Sequence, residues 1–332
     1  MSSAITNEAP QVLVTGASGF IGRHLVSTLA GRGARVRVLA RRSSDLRPLD
    51  DVRFERCEGD LTDPRSLARA VDGVDYIYHS GGLIKAPDDE TFIAVNGDGT
   101  KNLCAAAKAG APRLRRFLYI SSMAASGPGP DGKLIDEEMP AQPITPYGAS
   151  KRLGEKWVHQ FDFLWTIVRP PAVYGPGDRA VLQLFQVGAH HIRASLGPDG
   201  IASVVYIDNL VDGIILAAER PEGVSQTFFI ADERALSRKE LTRMIQRALD
   251  TWSVPIHFPA WFVRLAARIS ESVARGFGRT ALFDSHKAEE LLARNWACSI
   301  DKARMLLGYD PEVPTEEGMQ RTARWYREAG WI

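Results

Sequence analysis

TGASGFIG, residues Thr15–Gly22, sets three glycines three residues apart between the apolar run QVLV and FIGRHLVSTLAGRG, a stretch of helical period. Ile21, Leu25, Val26 and Leu29 fall at helical spacing before Gly31 and Gly33 close the segment. This pattern predicts a strand, a tight turn and a helix. Outward from it, short apolar runs keep alternating with helical stretches: ARVRVLA, VRFERCEGD, the helix-like PRSLARAVDG, VDYIYHS, the helix TFIAVNGDGTKNLCAAAKAG and LRRFLYISS. A parallel strand pair needs a crossover connection, so this alternation specifies an α/β chain with a doubly wound parallel sheet over residues 10–178. Within that span GPGPDGKLIDEEMPAQPITP reads as a long loop, YGASKRLGEKWVHQF as a helix and FLWTIVRP as a further core strand. Residues 179–332 read as a smaller, mostly helical C-terminal substrate lobe. It holds a helix near 180–190, the runs ASVVYID and TFFIA, and the helix NLVDGIILAAE, and some of its elements are expected to return to the main sheet.

The composition excludes several function classes. A chain of 332 residues, 45% hydrophobic and 24% charged, can bury a sizeable core. A net charge of +1 with no Lys/Arg block lacks the footprint of a nucleic-acid binder. Cys57, Cys104 and Cys298 are odd in number and without ligand spacing, so neither a disulfide framework nor a metal site is expected. MSSAITNEAP has no basic segment followed by an apolar one, and no window is long and apolar enough to span a bilayer. The expected compartment is the cytoplasm.

Glycines between a strand and a helix let the backbone turn tightly and let a bulky anion approach the amides of the helix N-terminus, where the dipole favours negative charge. A dinucleotide pyrophosphate fits. After the second strand, VRVLARRSSD places Ala40 where an acid would bind a ribose 2′-hydroxyl, followed by Arg41 and Arg42, which suit a 2′-phosphate. The expected cofactor is therefore NADP(H), with NAD(H) the alternative if both arginines are merely solvated. GDLTDP sets Asp60 to accept from an adenine amino group and Leu61 to pack its ring.

YGASK, residues 147–151, puts Tyr147 and Lys151 on one helix face. An ammonium beside a phenol stabilises the phenolate and is expected to lower its pKa, making Tyr147 an acid/base near neutrality. Lys151 can also hold ribose hydroxyls. ISSMAASG ends the fifth strand at Ser121 and Ser122, where a hydroxyl can steer a substrate carbonyl towards Tyr147 at the edge where open α/β sheets bind ligands.

TGASGFIG, GDLTDP, NGDGTKNL with Asn96, ISSMAASG, YGASK, VRPPAVYGPGD and VVYIDNLVDGIILA stand in the order and spacing of the extended short-chain dehydrogenase/reductase family, and the chain resembles it from about residue 11 to 220. A looser likeness continues in DKARMLLGYDPEVPTEEGMQRTARWY. The resemblance implies a Rossmann domain, a Ser/Tyr/Lys catalytic group and a C-terminal lobe over the substrate. Ser122, five residues before Gly127, would orient substrate, with Ser121 its confusable neighbour; Tyr147 would be the acid/base and Lys151 its partner. Gly16, Ser18, Gly19, Phe20, Ile21 and Gly22 would hold the cofactor, with Gly81 in HSGGLI, Pro170 and Val173 also against it. HSGGLI departs from the commoner H-x-A-A form.

Within the family, nucleotide-sugar enzymes often carry asparagine after the sixth-strand arginine and an arginine before VVYIDN, whereas this chain has Pro170 and Pro171 after Arg169, and IAS. VVYIDNLVDGIILAAE looks like the 3β-hydroxysteroid dehydrogenase and dihydroflavonol reductase-like branches. The expectation is an NADP(H)-dependent oxidoreductase interconverting a secondary alcohol and a ketone on a mainly apolar small molecule, sterol-like, lipid or polyketide. A nucleotide-sugar epimerase or dehydratase with tightly bound NAD and a non-catalytic NADP-binding regulator are the alternatives. The resemblance and the prevalence of two-fold assemblies imply a homodimer. HFPAWFVRLAARISESVARGFG carries a stripe of Phe262, Leu265, Ile269, Val273 and Phe277 with Trp261 beside it. Three roles fit: roofing an apolar pocket, packing on the core, or peripheral contact with a membrane.

Overall fold

A computed structural model describes residues 9–276 and 283–332. The leader reading on Met1–Glu8 and the place of Phe277 lie outside the described residues. The chain runs β1 (Gln11–Thr15), α1 (Phe20–Gly31), β2 (Arg35–Ala40), β3 (Glu55–Glu58), α2 (Pro64–Val71), β4 (Tyr76–His79), α3 (Asp89–Phe92), α4 (Gly99–Gly110), β5 (Arg116–Ile120), α5 (Pro146–Gln160), β6 (Trp165–Arg169) and β7 (Ala172–Tyr174). There follow α6 (Leu182–Ala189), β8 (Ile192–Leu196), β9 (Ile201–Ala202), β10 (Val204–Tyr206), α7 (Ile207–Glu219), β11 (Gln226–Phe229), β12 (Leu236–Ser237), α8 (Arg238–Ala248) and β13 (Val254–Phe258). The last elements are α9 (Ala260–Gly276), α10 (Ser285–Leu292), β14 (Asn295–Trp296), α11 (Asp301–Leu307) and α12 (Thr315–Glu328).

Seven strands form one all-parallel sheet in the order β11-β6-β5-β4-β1-β2-β3. The reversal of direction at β1/β4 is the switch point of a doubly wound fold, and it opens a crevice beyond the strand C-termini. Strand pleating divides the core. Val12 and Val14 of β1 join the cluster that includes Leu25 and Val26 of α1 and Ile214 of α7, while Leu13 joins the opposite cluster with Leu67 of α2 and Leu103 of α4. Each such buried aliphatic side chain is worth about 1.5–3 kcal/mol relative to exposure.

The run TFFIA becomes β11 and extends the main sheet beside β6. Of the three small sheets, β8 with β13 and β9 with β12 and β14 belong to the C-terminal half, and β10 pairs with β7. The loop after residue 127 is tied to that half through Gly129 N–H to the Asn295 carbonyl (3.0 Å) and Ile135 N–H to the Ala297 carbonyl (2.8 Å).

Three local readings need correction. The helix expected across TFIAVNGDGTKNLCAAAKAG is interrupted by a wide π turn at Ile93–Asp98. There the Asn96 side chain bonds both the N–H and the carbonyl of Leu83, and Gly97 lies so close to α5 that a Cβ would sit 2.5 Å from Leu153. The helix expected from His257 begins instead at Ala260, because His257 belongs to β13, paired with β8. Its apolar stripe is not packed on the core: α9 buries Val263 and Ala267 against Ala288 and Leu292 and turns Trp261, Phe262, Leu265, Ile269 and Val273 outward.

Candidate active site

Six successive strand ends converge on the crevice. Gly16 follows β1, Arg41 follows β2, Asp60 lies just beyond β3, Gly81 just beyond β4, Ser121 and Ser122 follow β5, and Pro170 follows β6. At the first of these, Gly16 adopts φ +73, and Gly19 N–H closes the turn on the Gly16 carbonyl at 2.9 Å. A Cβ at Gly22 would lie 2.1 Å from that carbonyl oxygen, so only glycine lets α1 start this close to β1. Ser18 and Gly19 lead into α1, where Phe20 and Ile21 begin the helix, and its first turn carries no acidic side chain. A Cβ at Gly19 would meet nothing within 4 Å except the Gly16 oxygen at 3.1 Å, so the turn is open on that side. This surface fits a pyrophosphate.

The second strand end presents Arg41 and Arg42 on the surface. Arg42 pairs with Glu58 at 3.3 Å, whereas the Arg41 guanidinium has no carboxylate partner among the described residues. Arg56, absent from the sequence reading, clasps this loop by donating to the carbonyls of Arg41 and Arg42 at 3.0 and 3.2 Å. One carboxylate oxygen of Asp60 accepts from the Thr62 N–H (2.9 Å) and hydroxyl (2.8 Å), and Leu61 is buried beside Gly81. Pro170 is buried, its carbonyl accepting from Met123 N–H at 2.9 Å, and Val173 is half-buried in β7 opposite Val205.

A buried hydrogen-bonded chain joins the glycine turn to α5. Gly81 N–H donates to Thr15 Oγ1 at 2.9 Å, Thr15 Oγ1 meets His79 Nδ1 at 2.7 Å, and His79 Nε2 meets Thr100 Oγ1 at 2.9 Å. Thr100 donates to the Asn96 carbonyl, Asn96 Nδ2 donates to Ser150 Oγ, and Ser150 donates to the Tyr147 carbonyl. Burial, with Lys151 nearby, pushes the His79 pKa down to about 3, so this imidazole stays neutral and acts as a strut.

Helix α5 is started by Thr145, whose hydroxyl accepts from Gly148 N–H at 3.1 Å, and by Pro146 in its first turn. A Cβ at Gly148 would lie 2.3 Å from the Ala124 carbonyl, and one at Gly154 2.3 Å from the Tyr119 hydroxyl. These glycines cost helix propensity, yet they let α5 press onto β5 and the turn after it. That approach brings the Tyr147 phenol close enough to Ser122 for the serine hydroxyl to act on its titration. The phenol does not move downward as the sequence predicts. Burial raises its pKa, the Ser122 hydrogen bond offsets part of the rise, and the nearby Glu290 carboxylate adds to it. Lys151 acts elsewhere: its Nζ donates to the Ile120 carbonyl at 2.7 Å and lies 4.3 Å from the Tyr119 ring centre. Burial draws this amine down to about 7, partly opposed by Glu155.

The two adjacent serines separate cleanly. Ser121 Oγ turns inward and donates to Glu155 Oε1 at 2.6 Å, leaving Ser122 to face Tyr147. Glu155 also accepts two hydrogen bonds from Arg169, at 2.8 and 2.7 Å, and one from Arg152 at 2.7 Å. Burial alone would raise this carboxyl, but Arg169, Ser121 and Arg152 together hold it below its usual value. Sequence reasoning missed Glu155 as a site-supporting residue. Its signal was spacing: it lies one turn beyond Lys151, on the helix face that already holds Tyr147 and Lys151.

Residues 12–231 match the NAD dependent epimerase/dehydratase family. Over the whole chain, a ceramide reductase of Caulobacter vibrioides (strain NA1000 / CB15N) is 33% identical over 324 residues, covering 97% of this chain and 96% of that protein. A 3-beta-hydroxysteroid dehydrogenase of Mycolicibacterium neoaurum is 32% identical over 340 residues, covering 96% and 92%. Among solved structures, the crystal structure of gox2253 superposes with a TM-score of 0.81 at 29% identity, covering 97% of this chain and 99% of its own.

Proposed function

The chain belongs to the NAD dependent epimerase/dehydratase family and is an NAD(P)-dependent enzyme of the short-chain dehydrogenase/reductase type, and on that premise we propose that it is an NADP(H)-linked ketoreductase or alcohol dehydrogenase for a mainly apolar substrate. The observation that carries the chemistry is the meeting of the Ser122 and Tyr147 hydroxyls at the strand C-terminal edge, with Lys151 one helical turn behind them. When bound, the cofactor supplies or accepts the hydride. Tyr147 holds the proton at its phenol oxygen and gives it to the forming alkoxide, or takes it in the reverse direction. Ser122 shares its hydrogen bond between that oxygen and the substrate oxygen, which fixes the distance over which the proton moves. A raised phenol pKa keeps Tyr147 protonated at neutral pH. Gly16, Ser18, Gly19 and the first amides of α1 would hold the pyrophosphate, and Asp60, Leu61, Gly81, Pro170 and Val173 would line the rest of the cofactor. Arg41, free of a carboxylate partner among the described residues, would meet the 2′-phosphate.

Relatives named for ceramide and for 3β-hydroxysteroid chemistry support an apolar substrate, as does the Pro170–Pro171 pair that follows Arg169. Screening ketones, sterols and nucleotide sugars by NADPH absorbance tests the proposal. Net NADPH consumption with apolar ketones is expected. Conversion of nucleotide sugars alone without net cofactor consumption would replace it with an epimerase, and inactivity throughout would favour a regulator. Arg41→Ala is expected to raise KM for NADPH at least about fivefold and leave that for NADH unchanged; equal effects on both would remove the NADP(H) assignment.

A further inference from the structure

Helix α9 is apolar on two faces. Val263 and Ala267 face inward, while Trp261, Leu265, Ile269 and Val273, each four residues from the next, line the outward face with Phe262 beside them. These five side chains are between 41% and 66% exposed. A helix on a water-facing surface carries polar residues outward, so this one is turned towards something other than water. Its aromatic end is organised: Phe262 stacks on Phe258 at 5.4 Å and meets Trp261 edge-on at 5.9 Å. The flank of the apolar face is basic. Trp261–Ser270 contains Arg264 and Arg268 and no acid; Arg264 pairs with Glu289 at 2.7 Å, and Arg268 has no carboxylate partner among the described residues. With about 25 Å of length, α9 suits a position in the interface plane. Among the described residues no helix is long and apolar enough to cross a membrane.

The location adds a reason. α9 packs on α10, and Glu290 of α10 lies within electrostatic reach of Tyr147, so α10 links the helix to the candidate site.

We propose that the outward face of α9 docks on a lipid bilayer carrying anionic headgroups, its apolar side chains entering the headgroup boundary while Arg268 meets the phosphates. Docking there would hold α10, and with it the candidate site that Glu290 borders, near the phase in which an apolar substrate is dissolved. That purpose rests on the reductase reading; lipid binding itself does not.

Flotation with vesicles of phosphatidylcholine, and of phosphatidylcholine mixed with phosphatidylglycerol, separates the two. Wild type is expected to float with the mixed vesicles and more weakly with phosphatidylcholine alone. Trp261→Asp/Ile269→Asp is expected to lose at least about tenfold in partitioning, and Arg268→Glu to lose the preference for phosphatidylglycerol. Both variants change exposed side chains, and an unaltered melting temperature verifies their fold. Wild type that stays with the protein fraction on both vesicles, or a double-aspartate variant that floats as wild type does, overturns the proposal. So does light scattering that shows a dimer which the double-aspartate variant dissociates, because the face then belongs to a second copy. Lipid binding without ketone turnover leaves the docking face standing and removes only the substrate reading.

Discussion

Arg169→Met strips a fully buried carboxylate of its main partner, and the cost can be worked from the geometry. The Glu155 side chain is 0% exposed and Arg169 5%, and their two hydrogen bonds run at 2.8 and 2.7 Å. Removing one member of such a pair costs about 3–5 kcal/mol. Ser121 and Arg152 remain on Glu155, so the lower end, about 3 kcal/mol, applies. At about 1.4 °C per kcal/mol for a chain of 332 residues, the melting temperature should fall by about 4 °C. The loss should depend on pH. In wild type the Glu155 pKa is held down, so its contribution is present above the unfolded carboxyl pKa and is lost only as pH falls through the depressed folded value. In the variant, uncompensated burial raises that pKa, and the folded state then binds a proton that the unfolded chain does not hold. The deficit should therefore be larger at about pH 8 than at about pH 5. Glu155→Leu/Arg169→Met buries no lone charge and should melt above Arg169→Met. Calorimetric melting of the three proteins at both pH values decides this. A single variant that melts with wild type, or a double variant no more stable than the single, refutes the reasoning.

Other expectations follow from the same geometry. Gly22→Ala would place a methyl 2.1 Å from the Gly16 carbonyl oxygen, and a backbone neighbour cannot swing aside; NADPH titration followed by fluorescence should show affinity weakened at least about tenfold, whereas wild-type affinity would contradict the role given to the turn. For Lys151→Met the test is stability against pH. The folded amine titrates near 7 and the unfolded one near 10.5, so wild type should gain stability on the variant as pH rises through that window; a difference that stays flat would mean the ammonium is not desolvated.

The order of strands was legible because a parallel sheet buried on both faces demands continuous apolar runs separated by amphipathic crossovers. VLV, VRVLA, YIY and FLYI supplied them. The residues proposed to carry the chemistry could be picked out because they keep fixed spacing on one helix and one strand end. Its supports were not. Glu155 meets Arg169 and Ser121 only after three separate elements have packed, and no local pattern marks a carboxylate whose partners lie on other elements. The direction of the Tyr147 shift was misread for a related reason: spacing tells that an amine shares a helix face with a phenol, but not that the amine spends its proton on the Ile120 carbonyl while burial acts on the phenol. For α9, periodicity located an apolar stripe, yet a helix with two apolar faces leaves open which one the core takes. Val263 and Ala267 won because small, short side chains let α9 lie close on α10.

Tyr147→Phe tests the central claim most directly, because it removes one oxygen and leaves the ring against Phe92. With an apolar ketone that wild type reduces, NADPH oxidation should fall by at least about a hundredfold while NADPH affinity and melting temperature stay near wild type. A variant that turns over at a near-normal rate would show that the proton comes from another group.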